Sequence, residues 1–300
     1  NIHYKCIVQE NDVVKEGQII AISTKENEGI RSYIHSSVPG KVSSVGECLL
    51  PSGKKGTAVK IKTEGSFSYL GKSLPETDWQ WFSKENFLDL ISTKGVLNTF
   101  SQAVPLAQQI SSCTISKGRF VIARLFDEDP SRMTDSFVAE NFLHEILVGT
   151  KIVARTLEAQ GIIFILPKKS DVQLKEDDFT PYPVLVLEAD TSKYPSGYMQ
   201  NIINLVKKDV HSSEKNTFSF INKKSIFCDP QTLVSVYDAA VLGKPSVETF
   251  VHVTGNWLNS AAIMKVRIGT TIKDLVSQCG GFKNQPAKII INGLLHGSAV

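Results

Sequence analysis

The chain has 300 residues, of which 42 % are hydrophobic and 21 % charged, and its net charge is +3. This length and composition predict a soluble globular protein of two or three domains. The small net charge and the scattered lysines exclude an extended basic surface for nucleic acid, and the longest apolar run, 162–166, is far shorter than the ~20 residues that span a bilayer.

The first 63 residues predict a small all-β sandwich. Short segments at 6–24 and 33–63 are rich in β-branched residues and are separated by turn signals such as Lys15-Glu16-Gly17 and Pro39-Gly40. The opening pattern V-x-x-x-D-x-V-x-x-G-Q, followed by S-x-x-P-G-K-V, resembles the lipoyl-like hybrid sandwiches.

Lys41 follows the Pro39-Gly40 pair and raises the question of a lysine that carries biotin or lipoate. In the carrier domains that lysine stands at a hairpin tip, beside Asp and Ala or between two methionines, whereas Lys41 lies between Gly40 and Val42. A Pro-Gly pair supplies the fixed and the positive φ angles of a tight turn. We therefore interpret this segment as architecture.

An aromatic run, Trp79, Trp81 and Phe82, follows a polar linker. Burial between the sandwich and the next domain is the ordinary explanation, and a surface that faces a partner is the alternative. The exposure of these rings separates the two.

Residues 65–245 predict an α/β domain. A helix begins after Ser83, and buried strands at 118–126 and 161–166 flank an amphipathic helix at 138–160. Further predicted elements are a strand at 183–188, a helix at 198–207, a hairpin at 217–227 and a helix at 231–242. This alternation favours a parallel sheet with helices packed on it.

The last third of the chain changes character. Strands at 247–253, 264–268 and 287–291 surround a helix that Thr270 or Thr271 caps. Two strands, a helix and a strand within ~50 residues predict a small β-grasp module.

Two motifs in this region carry a family resemblance, VYDAAVLGKPSVETFVHVTG at 236–255 and VRIGTTIKDLVSQCGG at 266–281. They resemble the C subunit of Rnf-type ion-translocating electron-transport complexes, as do K-Y-P-S-G at 193–197 and PAKIIINGLLHG at 286–297. The resemblance covers nearly the whole chain, and its parts occur in the same order.

The resemblance implies three modules. They are a lipoyl-like hybrid β-sandwich at 1–64, an α/β domain related to the flavin- and NADH-binding subunit of complex I at 65–245, and a β-grasp module of SLBB type at 246–300. The fold class is therefore a multidomain combination of α/β and β modules.

The resemblance also implies a function. A subunit of this family is a peripheral part of a membrane complex, on the cytoplasmic face of the inner membrane, that moves electrons between ferredoxin and NAD while it transports Na⁺ or H⁺. Integral subunits are then its partners, and FMN and NADH are the implied cofactors. Iron–sulfur clusters of the 4Fe–4S type follow in a further domain of the family, so we expect this chain to be truncated before that domain, at Val300.

The glycine-rich flavin loop of the family, G-x-G-G-A-G-F-P, aligns with GVLNTFSQAVP at 95–105, in which Gly95 is kept but the middle glycines are not. Such glycines let backbone N–H groups approach a phosphate. Asn98, Phe100 and Gln102 would occupy that space, which predicts a degenerate flavin loop.

The acidic loop of the family, E-C-E-P, aligns with 127–130, and an N-V-G-T segment aligns with 229–232. The resemblance implies cofactor contacts for six residues: Gly95, Asp127, Glu128, Asp129, Asp135 and Thr232. A solvated loop after a strand is the alternative for the acidic residues. Asp229 adds a carboxylate that would repel a phosphate.

Three functions remain open. The chain contributes the NADH/FMN-domain scaffold of an oxidoreductase complex, or it is a non-catalytic docking or assembly subunit, similar in role to the A subunit of Na⁺-pumping quinone reductases. The third is an unrelated soluble enzyme. Five separated cysteines and widely spaced histidines show no metal-binding spacing, so we predict neither a metal site nor a catalytic residue, and an isolated chain without activity.

Overall fold

The computed structural model describes residues 3–26, 29–50, 53–212, 216–295 and 297–300. By its internal contacts the chain divides into two compact units. The first comprises Asn1–Thr24, Tyr33–Leu74 and Ser246–Val300, and the second comprises Lys25–Ser32 and Pro75–Pro245. The predicted boundaries at 64 and 245 stay a prediction.

The N-terminal part of the first unit is built from two small antiparallel sheets, as the turn spacing predicted. Its strands are β1 Tyr4–Cys6, β2 Val13–Val14, β3 Ile19–Ser23, β4 Tyr33–His35, β5 Gly40–Leu49 and β6 Lys55–Thr63. One sheet has the order β1-β3-β4 and the other β2-β5-β6. Val14, Ile20 and Val42 form the buried core of this part.

Lys41 lies in β5 and is paired on both sides, opposite Val13 and Lys62. It is therefore not at a hairpin tip, which agrees with its interpretation as architecture. The predicted positive φ at Gly40 is wrong, because this glycine begins β5 with φ outside the left-handed region. A close approach requires the glycine instead, since a Cβ there would collide with the carbonyl oxygen of Lys62.

The second unit contains a four-stranded parallel sheet, which confirms the predicted α/β architecture. Its order is β11-β10-β9-β12, and every pair in it is parallel. The strands of this unit are β7 Leu97–Asn98, β8 Val104–Pro105, β9 Phe120–Arg124, β10 Gly161–Pro167, β11 Val184–Ala189 and β12 Ile226–Cys228. β7 and β8 form a short antiparallel hairpin apart from the sheet.

Helices pack on the parallel sheet, and the second unit contains six of them among the described residues. They are α1 Lys84–Thr93, α2 Leu106–Ser111, α3 Thr134–Asn141, α4 Leu143–Leu157, α5 Met199–Ser212 and α6 Pro230–Ala240. Alternate residues of the central strands, such as Ile122 and Ile163, join the core beneath α5 with Ile202 and Val206. On α4 the side chains of Ile146, Ile152 and Val153 are also fully buried, as its periodicity predicts.

Two sequence predictions in this unit are wrong. The helix predicted at 138–160 is divided at Phe142, whose φ of −129° and ψ of 36° are not helical. The hairpin predicted at 217–227 is a 3-10 helix, Asn216–Phe220, followed by β12, which pairs in parallel with β9. β12 has only three residues and its partner β9 is distant in the sequence, so neighbouring residues give little indication of this strand.

The aromatic run begins the second unit as a 3-10 helix at Trp79–Trp81. The rings of Trp79 and Phe82 pack against Phe87 of α1, whereas Trp81 is 84 % exposed. The predicted burial is therefore wrong for Trp81.

The C-terminal part of the first unit contains the predicted strand, strand, helix and strand. Its elements are β13 Glu248–Val253, β14 Ala262–Arg267, α7 Ile272–Gln278, β15 Ile290–Ile291 and β16 Ser298–Ala299. β13 pairs with β14, and β15 pairs with β16. Thr271 caps α7 as predicted, and His296 of the last motif lies outside the described residues.

The N- and C-terminal parts of the first unit are joined by a buried ion pair between Glu16 and Arg267. Glu16 also accepts a hydrogen bond from the backbone N–H of Tyr69, and Arg267 makes a second ion pair with Glu248 at 3.0 Å. The buried ion pair thus connects residues from opposite ends of the sequence within this unit. Among the described residues, no helix combines the length and the apolar composition that crossing a bilayer requires.

Candidate functional site

A cleft of about 240 Å³ lies at the carboxyl ends of β9, β10 and β11. The loop after β9, at 126–136, forms one wall, and Pro167, Thr191 and Tyr194 contribute to the other. In open α/β sheets, ligands bind outside these ends of the strands. The cleft is therefore the candidate site, and the predicted acidic loop lines it.

Arg124, at the end of β9, binds several groups of this loop and of the segment that packs against it. Its side chain is fully buried, and its guanidinium donates to the carbonyl oxygens of Phe126 and Gly197, each at 3.0 Å. It also donates to Asp135 at 2.9 Å and lies 3.9 Å from Glu128. A buried guanidinium needs such partners, because desolvation without them is costly.

The carboxylates of the acidic loop bind backbone groups of their own segment. Asp127 accepts hydrogen bonds from the N–H groups of Asp135 and Ser136 and from the Ser136 hydroxyl, at 2.7–3.0 Å, and so caps the first turn of α3. Asp129 accepts from the N–H and the hydroxyl of Ser131. Since Asp129 is 3 % exposed and Asp135 is fully buried, the alternative of a solvated loop is wrong for these two.

The electrostatic balance at Asp135 is unusual. Burial, with the nearby carboxylate of Asp229 as a second cause, raises the pKa of Asp135 to about 7, and the opposing effect of Arg124 is smaller. The carboxylates of Asp127 and Asp229 thus both act on Asp135, whose ion-pair partner is Arg124.

The K-Y-P-S-G segment packs against the acidic loop from the other side. A Cβ on Gly197 would lie 3.0 Å from the Cα of Glu128, so this close approach requires glycine. The hydroxyl of Tyr194 in this segment lies 2.6 Å from that of Tyr198, the residue that directly follows the segment. This hydrogen bond raises the pKa of Tyr198 to about 12.

The hairpin at 97–105, part of the predicted flavin loop, contacts the N-terminus of α6. Asp229 caps that helix by accepting from the N–H of Thr232 at 2.8 Å, and its other oxygen accepts from the Thr99 hydroxyl at 2.7 Å. The N–H of Thr99 donates back to the Thr232 hydroxyl at 3.0 Å. Helix and hairpin therefore satisfy each other's polar groups.

Asn98 and Phe100 of this hairpin are buried, whereas Gln102 is exposed. The Asn98 amide donates to the carbonyl oxygen of Phe227 at 2.7 Å, and the ring of Phe100 lies 5.5 Å from that of Phe227. The guanidinium of Arg124 lies over the Phe100 ring, 4.5 Å from its centroid. The prediction that side chains fill this loop thus applies to Asn98 and Phe100 and is wrong for Gln102.

The structure brings most of the predicted site residues together, but in two groups. Four lie in or beside the acidic loop: Glu128 and Asp135 contact Arg124, Asp127 binds the amide of Asp135, and Asp129 binds Ser131. Thr232 binds the hairpin instead, and Gly95, with φ 70°, ends the turn after α1 through a hydrogen bond to Ser92. Their predicted role as cofactor contacts stays a prediction.

Sequence reasoning missed Arg124 and Thr99. A charged residue inside the apolar segment FVIARLF was the available signal for Arg124, because such a residue needs buried partners. Thr99 carried no comparable signal, since its two partners lie more than 100 positions away. Among the described residues, no group of His, Cys, Asp or Glu side chains is arranged to hold a metal ion.

Solved structures share the fold of a large part of this chain. An NAD⁺-reducing [NiFe]-hydrogenase in the air-oxidized state superposes on 69 % of this chain and 40 % of its own, with a TM-score of 0.54 at 14 % identity. The same enzyme in the H₂-reduced state gives a TM-score of 0.51 at 11 % identity. The class is thus an α/β fold shared with a chain of such hydrogenases, carried between β modules.

Comparison with protein families and curated proteins gives the particular kinship. The RnfC barrel sandwich hybrid domain matches residues 2–66, and the SLBB domain matches residues 250–294. The C subunit of the proton-translocating ferredoxin:NAD(+) oxidoreductase complex of Clostridium ljungdahlii is 26 % identical over 98 % of this chain and 63 % of its own length.

The C subunits of two ion-translocating oxidoreductase complexes give similar matches. That of Methanosarcina acetivorans is 25 % identical over 96 % of this chain and 67 % of its own, and that of Rhodobacter capsulatus is 21 % identical over 98 % and 56 %. The predicted kinship with the C subunits of Rnf-type complexes is confirmed, as are the hybrid sandwich and the SLBB module. The chain spans 56–67 % of the length of these three relatives.

Proposed function

We propose that the chain serves as the C-type subunit of an ion-translocating ferredoxin:NAD oxidoreductase complex of Rnf type. The observation that carries the proposal is similarity to subunits of that name over nearly the whole chain, from the hybrid sandwich through the parallel sheet to the SLBB module. The chain contributes the α/β scaffold of the electron-transport complex, and the other subunits, integral membrane ones included, are its partners. Its place is peripheral, on the cytoplasmic face of the inner membrane.

Affinity isolation of the natural full-length protein from membranes of its source organism tests this proposal. We expect integral subunits of one complex to be isolated with it in mild detergent, and deletion of its gene to abolish ferredoxin-dependent NAD reduction by the membranes. Isolation without membrane subunits, together with unchanged NAD reduction in the deletion strain, would contradict the proposal.

Within this function, NADH is proposed to bind at the cleft, and the acidic loop supports that assignment by its position, because Asp127 and Glu128 line the cleft. Iron–sulfur clusters belong to the proposal only if the natural chain continues beyond Val300. A cysteine-rich segment encoded downstream would supply their ligands.

The second candidate is a docking or assembly subunit without its own cofactor. It is favoured by the internal engagement of the loop carboxylates, because Asp127 caps α3 and Asp135 pairs with Arg124. Glu128 separates the candidates, since it lines the cleft and its 3.9 Å contact with Arg124 is long.

A Glu128→Gln substitution in the complex therefore decides between them. If Glu128 binds NADH, the KM for NADH should rise by about tenfold, because one charged hydrogen bond is lost. If the chain only docks, the kinetics should be unchanged. Glu188→Gln, the same change at an exposed residue outside the cleft lining, is the matched control.

A further inference from the structure

We infer that the α/β unit of this chain excludes FMN, because its own side chains occupy the loop and the helix N-terminus that a flavin phosphate would use. The inference rests on the proposed function and on the sequence prediction that the flavin loop of the C subunits corresponds to residues 95–105. It goes beyond that function, which requires no particular cofactor of this unit.

The hairpin at 95–105 leaves little room for a phosphate. A phosphate cradle needs backbone N–H groups that point into open space and glycines that leave room for the ligand. Here the N–H of Phe100 donates to the side chain of Asn98, and the N–H of Thr99 donates to the Thr232 hydroxyl. Two of the loop's amide donors are thus used within the protein, and the Phe100 ring fills the space beside them.

The charges at the N-terminus of α6 also oppose a phosphate. The N-terminus of α6 would attract a phosphate through its unpaired amides and the helix dipole, but the Asp229 carboxylate already occupies the capping position. A phosphate dianion there would meet Asp229 and the nearby carboxylate of Asp135, both buried where water screens little.

The hairpin cannot open by the rotation of one side chain. The Phe100 ring is 4 % exposed and lies between the Phe227 ring and the Arg124 guanidinium. The opening of this loop therefore costs the contacts of Phe100 with both of these groups.

The space that remains open is the cleft beside the acidic loop. The Asp127 and Glu128 carboxylates that line it can accept hydrogen bonds from ribose hydroxyls but offer no donor to a phosphate. These carboxylates therefore give the flavin phosphate no alternative to the hairpin.

Hydrogen–deuterium exchange on the full-length protein, with and without excess FMN, tests the inference. We expect FMN to leave exchange at 95–105 and 229–233 unchanged, and its fluorescence to stay unquenched in a titration with the protein. Saturable quenching, or slowed exchange in those two segments, would overturn it.

A substitution tests the internal bonds that the inference needs. Thr232→Val removes the acceptor for the Thr99 N–H and should speed exchange of that amide by about tenfold or more. Thr150→Val is the matched control, because the Thr150 hydroxyl donates to the Ile146 carbonyl within its own helix. If exchange at Thr99 is unchanged in a folded Thr232→Val protein, the Thr99 amide is not engaged by the Thr232 hydroxyl and this support for the inference is lost.

The two proposals fail separately. FMN binding with intact isolation of the complex would overturn this inference and leave the proposed function. If no membrane partner is isolated and FMN still does not bind, the proposed function is overturned and the exclusion of FMN stands.

Discussion

At the scale of single residues, Arg124 determines how the acidic loop can be interpreted. The sequence predicted that acidic residues directly follow a buried strand, and in the structure they follow β9. The sequence could not show where the charges point. Asp127 and Asp129 bind amides of their own segment, and Asp135 turns inward to a guanidinium. Side-chain direction depends on the loop's backbone path, which residue types alone do not specify.

We predict that Arg124→Met destabilises the protein by about 3–5 kcal/mol, because it leaves Asp135 buried beside other carboxylates without its cation. Urea unfolding measures the effect. Arg155→Met, which removes a partly exposed arginine from α4, serves as control and should cost less than about 1 kcal/mol. Equal losses in the two variants would show that the buried pair has no special role.

A second prediction concerns pH. The pKa of Asp135, about 7 in the folded protein against an ordinary 3.8, means that the folded state binds more protons than the unfolded state between these values. The contribution of Asp135 to stability is therefore complete below about pH 4 and is lost as the pH rises to about 7, with a slope of up to about 1.4 kcal/mol per pH unit.

Comparison with Asp135→Asn isolates this contribution from other titrating groups. Arg124, Asp229, Asp127 and Arg132 also act on this carboxyl and remain in both proteins. The free energy of unfolding of the unsubstituted protein should fall relative to the variant as the pH rises. Parallel pH profiles of the two proteins would contradict the prediction.

At the scale of elements, the sequence predicted correctly the helix starts that depend on neighbouring residues. Ser83 and Thr271 cap their helices as expected, and Ser83 forms a full capping box with Asn86. The division of the 138–160 helix at Phe142 and the parallel strand β12 were missed. Both depend on packing against distant elements, which leaves no periodic trace in a short segment.

Gly40 gives a prediction at this scale. Gly40→Ala should destabilise the sandwich by about 1–3 kcal/mol, because the new methyl group would collide with the Lys62 carbonyl and force β5 and β6 apart. Gly46→Ala in the same strand is the matched control, since nothing lies within 4 Å of its Cβ position. Thermal unfolding of both variants measures the difference, and a Gly46 effect as large as that at Gly40 would refute the steric explanation.

At the scale of the whole molecule, the order of the modules followed from motifs spread along the chain. The joining of the first and last segments into one compact unit did not, because it depends on a pair of residues, Glu16 and Arg267, that no local pattern relates. Glu16 is 4 % exposed, so its charge is stable there only with this partner and the amides of 68–69.

We predict that Arg267→Met loosens this unit. Amide exchange in β13, β14 and residues 66–69 should accelerate, because Glu16 and Glu248 lose their shared cation. Lys265→Met is the control, as it removes a more exposed cation from the same strand that also pairs with Glu248. Exchange that is equally fast in both variants would assign the effect to Glu248 rather than to the Glu16 pair.

We infer that FMN is excluded because the side chains of Asn98 and Phe100 fill the hairpin at 95–105. A crystal structure of the protein grown with millimolar FMN tests it most directly. We predict that the Thr99 hydroxyl still contacts Asp229, 2.7 Å away in this structure, and that Phe100 remains beneath Arg124. A flavin ordered against 95–105, with Phe100 displaced, would contradict the claim.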